Sequence, residues 1–239
     1  MGLLDEAVEI PRKTMVMFFL IDTSGSMSGS SIGQVNDAMR EVLPDLKDIS
    51  DNNADAKTKI AVLSFSSGTE WLTPEPADLE SYKWTNLDAG GVTDLGEACK
   101  ELESKLNRNA FLQDAVGNYA PVIILISDGG PTDDFKSGLE KLKQNKWFNA
   151  AIKVALGVED ADMDVLQEFT GNKETAIFLQ NKNMLKKLIR FVSVTSSKIG
   201  SKKAGDTTNS AQARQEEVAE AIHEEMQELA PEASVDEGW

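Results

Sequence analysis

The chain has a single cysteine, a single histidine and a shortage of basic residues, and each scarcity removes a class of function. Cys99 alone cannot close an internal disulfide, which fits a reducing compartment, and its place in a helical stretch marks it as a small buried residue. His223 stands in an acidic tail far from any strand end, so a Ser–His–Asp hydrolase is not expected. Lys and Arg number 24 against 40 Asp and Glu, a formal net charge of −16 that argues against nucleic acid and anionic membrane surfaces as partners. No apolar run reaches transmembrane length, and no G-x-x-x-x-G-K-[ST] is present to cradle a nucleotide phosphate. The opening MGLLDEAVEIPRK lacks the long apolar stretch of a signal peptide, and Glu6 stands where myristoylation needs Ser or Thr. A cytoplasmic protein is expected.

What is present is strand–helix alternation. Short apolar runs at 14–21, 58–66, 121–127, 151–157 and 175–179 are mostly apolar throughout, the pattern of strands covered on both faces. Helical stretches fall near 31–48, 93–107, 134–146 and 181–197, with a short one near 162–169. The expected fold is α/β, a doubly wound, mostly parallel sheet with helices on both faces, Rossmann-like in plan. One exception interrupts it. Phe65-Ser66-Ser67-Gly68-Thr69 turns straight into Glu70-Trp71-Leu72-Thr73, a hairpin that makes one edge strand antiparallel until Pro74 and Pro76 stop it.

The chain divides by composition into a lead (1–11), the α/β domain (12–197), a Gly/Ser-rich flexible linker (198–212) and an acidic amphipathic helix or tail (213–239). In that last segment Val218, Ile222, Met226 and Leu229 form one apolar stripe. The stripe suits a docking helix laid into a groove on a partner or on this domain, and the glutamates around it equally suit a solvated acidic segment.

The chemistry concentrates at strand ends. LIDTSGSMSG places Asp22, Ser24 and Ser26 just beyond the first strand, where ligands bind in an open α/β sheet. The strand ending Ile124-Leu125-Ile126-Ser127 delivers Asp128, followed by Gly129 and Gly130. Ala89-Gly90-Gly91-Val92-Thr93-Asp94 offers Thr93 at a helix start. Two carboxylates and three hydroxyls supply oxygen alone, a set that favours hard dications: Mg²⁺ first, with Mn²⁺ or Ca²⁺ as substitutes. Two negative charges balance the ion and leave it electrophilic enough for one more anionic ligand. Any one of these residues alone would read as a helix N-cap; three separate segments matching one site favour the metal.

D-x-S-x-S after a buried strand, a Gly-Gly-x-Thr loop and S-D-G at a later strand end together resemble the von Willebrand factor A domain and its metal-ion-dependent adhesion site. That resemblance covers roughly residues 12–197. It implies that Asp22, Ser24, Ser26, Thr93 and Asp128 hold the metal, and that a partner protein's Glu or Asp completes the shell. It also implies that ligation couples to movement of the last core helix. Gly25, Gly91, Asp94, Gly129 and Asp133 form the rim, the glycines allowing tight turns and the aspartates opening helices. ISDGGPTDDF, with LIDTSGSMSG, is similar to the cytoplasmic bacterial A-domain proteins of tellurium-resistance (TerY-type) systems. This implies stress-response adaptors with kinase and phosphatase partners, and no enzymatic activity.

Two other patterns give way on inspection. Gly29-Ser30-Ser31-Ile32-Gly33 matches the G-x-S-x-G elbow of serine hydrolases, but Ser31 lies nine positions past the strand end. Asp51-Asn52-Asn53-Ala54-Asp55 opens like a calcium loop, yet Ala56 replaces the required Gly and Val62 the bidentate Glu. The functional rivals are a metal-dependent phosphohydrolase, with Asp94 or Asp133 as its only available base, and a regulatory subunit of an AAA+ ATPase.

Overall fold

The uncharged run 14–21 becomes the heart of β1 (Lys13–Asp22), in which every residue from Met15 to Asp22 is inaccessible to solvent. The computed structural model describes residues 11–128, 130–158, 161–179, 183–201 and 210–233, with the side chains of 183 and 229–233 excepted. β1 lies between β2 (Ala56–Ser66) and β5 (Val122–Ser127), parallel to both. β6 (Ile152–Val158) and β7 (Ala176–Leu179) continue the parallel sheet beyond β5. On the other edge β3 (Gly68–Trp71) returns antiparallel along β2, giving the order β3-β2-β1-β5-β6-β7. A further short strand, β4 (Ala77–Asp78), was not anticipated; it continues that edge against Lys59 and Ile60 after the two prolines break the pairing.

Side-chain alternation along β1 sorts the core into two layers. Met15, Met17, Phe19 and Ile21 face the side covered by α1 (Ser30–Asp51), α6 (Asn183–Gly200) and α7 (Ala211–Ala233). Val16, Phe18 and Leu20 face α2 (Leu95–Lys105), α3 (Phe135–Lys143), α4 (Lys146–Ala150) and α5 (Met163–Thr170). Each such burial removes a large apolar side chain from water, worth roughly 1.5–3 kcal/mol apiece. Strand order reverses between β1 and β5, so the loops leaving their carboxyl ends open onto the switch-point crevice.

Two expected elements differ. The helix expected over 134–146 is α3, which stops at Lys143, and a further short helix, α4, starts at Lys146 where the Asn145 side chain accepts from the Trp147 and Phe148 amides. The last core helix runs on to Gly200, three residues into the segment expected to be linker, whereas 202–209 lie outside the described residues.

The tail helix α7 settles the choice left open by its stripe. Val218 and Ile222 are buried in this chain's own core and Met226 packs against it, so they are not available as anchors for a partner; the Leu229 side chain lies outside the described residues. Gln215 fixes the start of α7. Its Oε1 accepts from the Lys153 amide at 2.8 Å, and its Nε2 donates to the Lys153 carbonyl at 2.6 Å and to Thr175 Oγ1 at 2.7 Å. Because β7 pairs with β6 only from Ala155 onward, the Gln215 amide serves the edge of β6 as one residue of added strand.

Candidate metal centre

The register of β1 on β5 sets Ile21 against Ile126, which brings Asp22 and Ser127 together at the strand ends. Asp22 Oδ1 accepts from the Ser24 amide at 2.8 Å and Oδ2 from the Ser127 hydroxyl at 2.6 Å. Ser24 Oγ lies 3.0 Å from Ser26 Oγ, and Ser26 Oγ donates to Asp128 Oδ1 at 2.8 Å, joining side chains 102 positions apart. Asp22, Ser24, Thr93 and Asp128 are all buried, while Ser26 is exposed at the mouth. Burial pushes the Asp22 carboxyl above its ordinary range, against the opposing effect of its Ser127 and Ser24 hydrogen bonds. A dication relieves that cost, since it favours the charged form that desolvation disfavours.

Thr93 arrives on a loop tied to the first by backbone. Gly25 N donates to Gly91 O at 3.1 Å and Gly90 N to Thr23 O at 2.8 Å. Gly91 has a φ of 88°, and a Cβ there would stand 2.6 Å from Ser67 Oγ, so glycine is required for this close approach. Asp94 anchors the same loop to the β2–β3 turn: its Oδ2 accepts from Gly68 N at 2.7 Å and its amide donates to Ser66 O at 2.9 Å.

The third loop is locked onto the second. Thr132 N donates to Thr93 O at 2.8 Å, and Thr132 Oγ1 is 3.1 Å from both Thr93 N and Thr93 O. Asp133 accepts from Gly96 N and Glu97 N, each at 2.8 Å, and so caps α2 from another segment of the chain. Gly138 permits this: a Cβ on it would stand 2.2 Å from Gly96 O, so α2 and α3 touch backbone to backbone. Asp134 caps its own α3 through Ser137 N at 3.2 Å.

The structure thus brings four of the five expected ligands, Asp22, Ser24, Ser26 and Asp128, into one hydrogen-bonded array, and ties the Thr93 loop to it on both sides. Gly25 and Gly91 lie on the rim, and Gly129 is outside the described residues. Asp94 and Asp133 direct their carboxylates to the backbone amides of Gly68, Gly96 and Glu97. Ser127, Thr132 and Ser67 were not singled out from sequence; only Ser127, directly before Asp128 at a strand end, carried a signal there. The oxygen-only donor set fits a hard dication: its carboxylates keep lone pairs beyond those accepting hydrogen bonds, and its hydroxyls can turn theirs inward. Among the described residues no group of three or more His, Cys, Asp and Glu side chains offers a competing site. Ser31 of the G-x-S-x-G match is buried in α1, which removes it as a nucleophile.

A sequence model of the von Willebrand factor type A domain matches residues 17–191, and the chain belongs to that family, whose members commonly bind a divalent metal at this site and mediate protein–protein interactions. Inter-alpha-trypsin inhibitor heavy chain H2 of Sus scrofa is 31% identical over 190 residues, 70% of this chain and 19% of that protein. The Homo sapiens heavy chain H2 is 30% identical over 174 residues, 69% of this chain and 17% of that one. The chain therefore spans less than a fifth of the length of these relatives. Among solved structures, a von Willebrand factor type A protein from Catenulispora acidiphila superposes with a TM-score of 0.55 at 16% identity, covering 77% of this chain and 43% of that one. Proximal thread matrix protein 1 of the mussel byssus, with a zinc-occupied MIDAS motif, gives 0.57 at 16% identity, covering 77% and 48%. These likenesses establish the fold. Among the described residues, no helix is long and apolar enough to cross a membrane.

Proposed function

We propose that this chain is a cytoplasmic, non-enzymatic adaptor of the bacterial TerY type. It holds Mg²⁺ on Asp22, Ser24, Ser26, Thr93 and Asp128 and captures an acidic side chain of a partner protein. Mn²⁺ or Ca²⁺ would serve in its place. The partner belongs to a stress or tellurium-resistance system, with a kinase or phosphatase as the leading candidate. The ion supplies electrophilic attraction for an outside carboxylate; the protein supplies two buried negative charges, three neutral hydroxyls and loops tied to one another so that the array is held in place before ligand arrives. The binding unit in this proposal is the α/β domain with α6 carried on to Gly200 and α7 packed against its core.

The observation that carries this reading is the chain of contacts from Ser24 through Ser26 to Asp128 above the buried Asp22. The phosphohydrolase rival loses support from the engagement of its only candidate bases: Asp133 has both carboxylate oxygens on α2 amides, and Asp94 holds the Gly68 amide. Affinity capture with wild type and Asp22→Ala, each with Mg²⁺ and with EDTA, tests the proposal. The expected result is a partner retained only by wild type with metal. Mg²⁺-dependent hydrolysis of phosphate esters that disappears in Asp22→Ala would overturn it.

A further inference from the structure

A partner that offers a carboxylate to this protein meets a surface of its own sign, since the chain carries a formal charge of −16. The structure contains a feature that answers this. Beside the metal loop, starting at Thr23, runs a groove of about 480 Å³ between the β2–β3 hairpin and the segment 85–88. Its walls carry the hydroxyls of Ser64, Ser66, Thr69 and Thr85, and its charged lining residues are Glu70 and Asp88, both exposed. Among the described residues, no lysine or arginine lines it.

The walls are stiff. Ser64 pairs with Glu70 across the hairpin, and Ser64 Oγ donates to Glu70 O at 3.3 Å. The opposite wall is stapled to α1 by the buried Asn36. Its Oδ1 accepts from Leu87 N at 2.8 Å and Trp84 Nε1 at 3.0 Å, and its Nδ2 donates to Leu87 O at 2.9 Å. Arg40, the cation nearest in the hydrogen-bond network, is already bonded to Asn86 and Asp37. The groove is also continuous with the metal face. Ser67 on its wall accepts from Val92 N at 3.3 Å, and Val92, one of few large apolar residues left exposed, directly precedes Thr93.

We infer that the groove selects the partner: the captured segment carries, next to the acidic residue that completes the metal shell, a lysine or arginine that lies among Glu70, Asp88 and the hydroxyls. This rests on the metal-dependent adaptor reading and names the class of ligand that site takes. The cation offsets the repulsion that a carboxylate alone would meet, and its flexible stem passes over Val92. A groove of this size accommodates a long side chain with neighbouring backbone.

The test uses the full chain and fluorescently labelled synthetic peptides with one glutamate in a glycine-serine background, flanked by lysines or by glutamines, read by polarisation at low salt with Mg²⁺ or EDTA. A lysine-flanked peptide with glutamine in place of its glutamate reports attraction to net charge alone. The expected result is EDTA-sensitive binding about three- to ten-fold tighter for the lysine-flanked glutamate peptide than for the glutamine-flanked one. That preference is lost in Glu70→Gln/Asp88→Asn. It persists in Glu220→Gln/Glu224→Gln, which removes the same charge on α7, and the amide resonances of Thr85 and Asn86 shift on titration. Equal affinities, or equal loss of preference in both double variants, overturn the groove while leaving the metal site standing. If no glutamate peptide binds in an EDTA-sensitive way, the adaptor reading falls and the groove with it.

Discussion

At the scale of single residues, the candidate metal face is held up by side chains that need not touch an ion. Asp133 gives both carboxylate oxygens to the first amides of α2, and Thr132 bonds both backbone groups of Thr93. Replacing Asp133 by Ala leaves the α2 amides without their cap, and a loss of about 1–2 kcal/mol is expected. In urea unfolding this lowers the midpoint with the slope unchanged, and Asp133→Asn, which keeps one acceptor, loses less. Gly138→Ala inserts a methyl 2.2 Å from Gly96 O, so the helices must part; a loss of about 1–3 kcal/mol and weaker metal binding by calorimetry are expected together. The residues proposed to hold the metal stood out in sequence because their spacing within each segment is short and their chemistry uniform. The Asp133 cap was not, because it depends on helices whose sequence positions differ by 36 and 37, and a lone aspartate before a helix looks like that helix's own cap.

At the scale of elements, the strands were legible because parallel strands buried on both faces cannot hide their apolar runs. β4 escaped notice because two residues between prolines and a turn have no periodicity to read. The α3–α4 break turned on one asparagine side chain competing for backbone amides. The fate of α7 was open because an apolar stripe does not say what covers it, and Gln215, the residue that registers it, is polar and unremarkable in sequence. Gln215→Leu strips the Lys153 amide and carbonyl of their partner, so faster hydrogen exchange at Lys153 and a loss of about 1–3 kcal/mol are expected. The Lys153 side chain gives this region a pH signature. Burial pushes its ammonium from 10.5 down to about 8, and it donates to the Phe148 and Ala151 carbonyls. Between about 8 and 9 the unfolded chain keeps the Lys153 proton that the folded one sheds, so stability should climb with pH there, whereas above about 9 the buried Cys99 thiol, which resists ionisation, opposes the gain. In Lys153→Met the climb between about 8 and 9 should be lost.

At the scale of the whole molecule, two helical layers enclose one sheet, and the open end of the switch point holds the buried carboxylates Asp22 and Asp128. A bound dication should therefore act as a stability ligand. At free Mg²⁺ one hundred times its dissociation constant, the folded state gains about 2.7 kcal/mol. Scanning calorimetry should show a rise in Tm with Mg²⁺ that EDTA reverses and that Asp22→Asn abolishes. The substitution removes one of the two charges that balance the ion while preserving the side chain's shape.

The seclusion of Cys99 has a practical corollary. It is fully enclosed between α2 and the sheet, and burial raises its thiol far above the range in which it would ionise. A maleimide dye or a spin label added to the native fold finds no other sulfhydryl, so a single cysteine introduced at Glu70 or Asp88 becomes the sole address for the probe. The recognition face can thus be watched by a reporter without first engineering the natural thiol away.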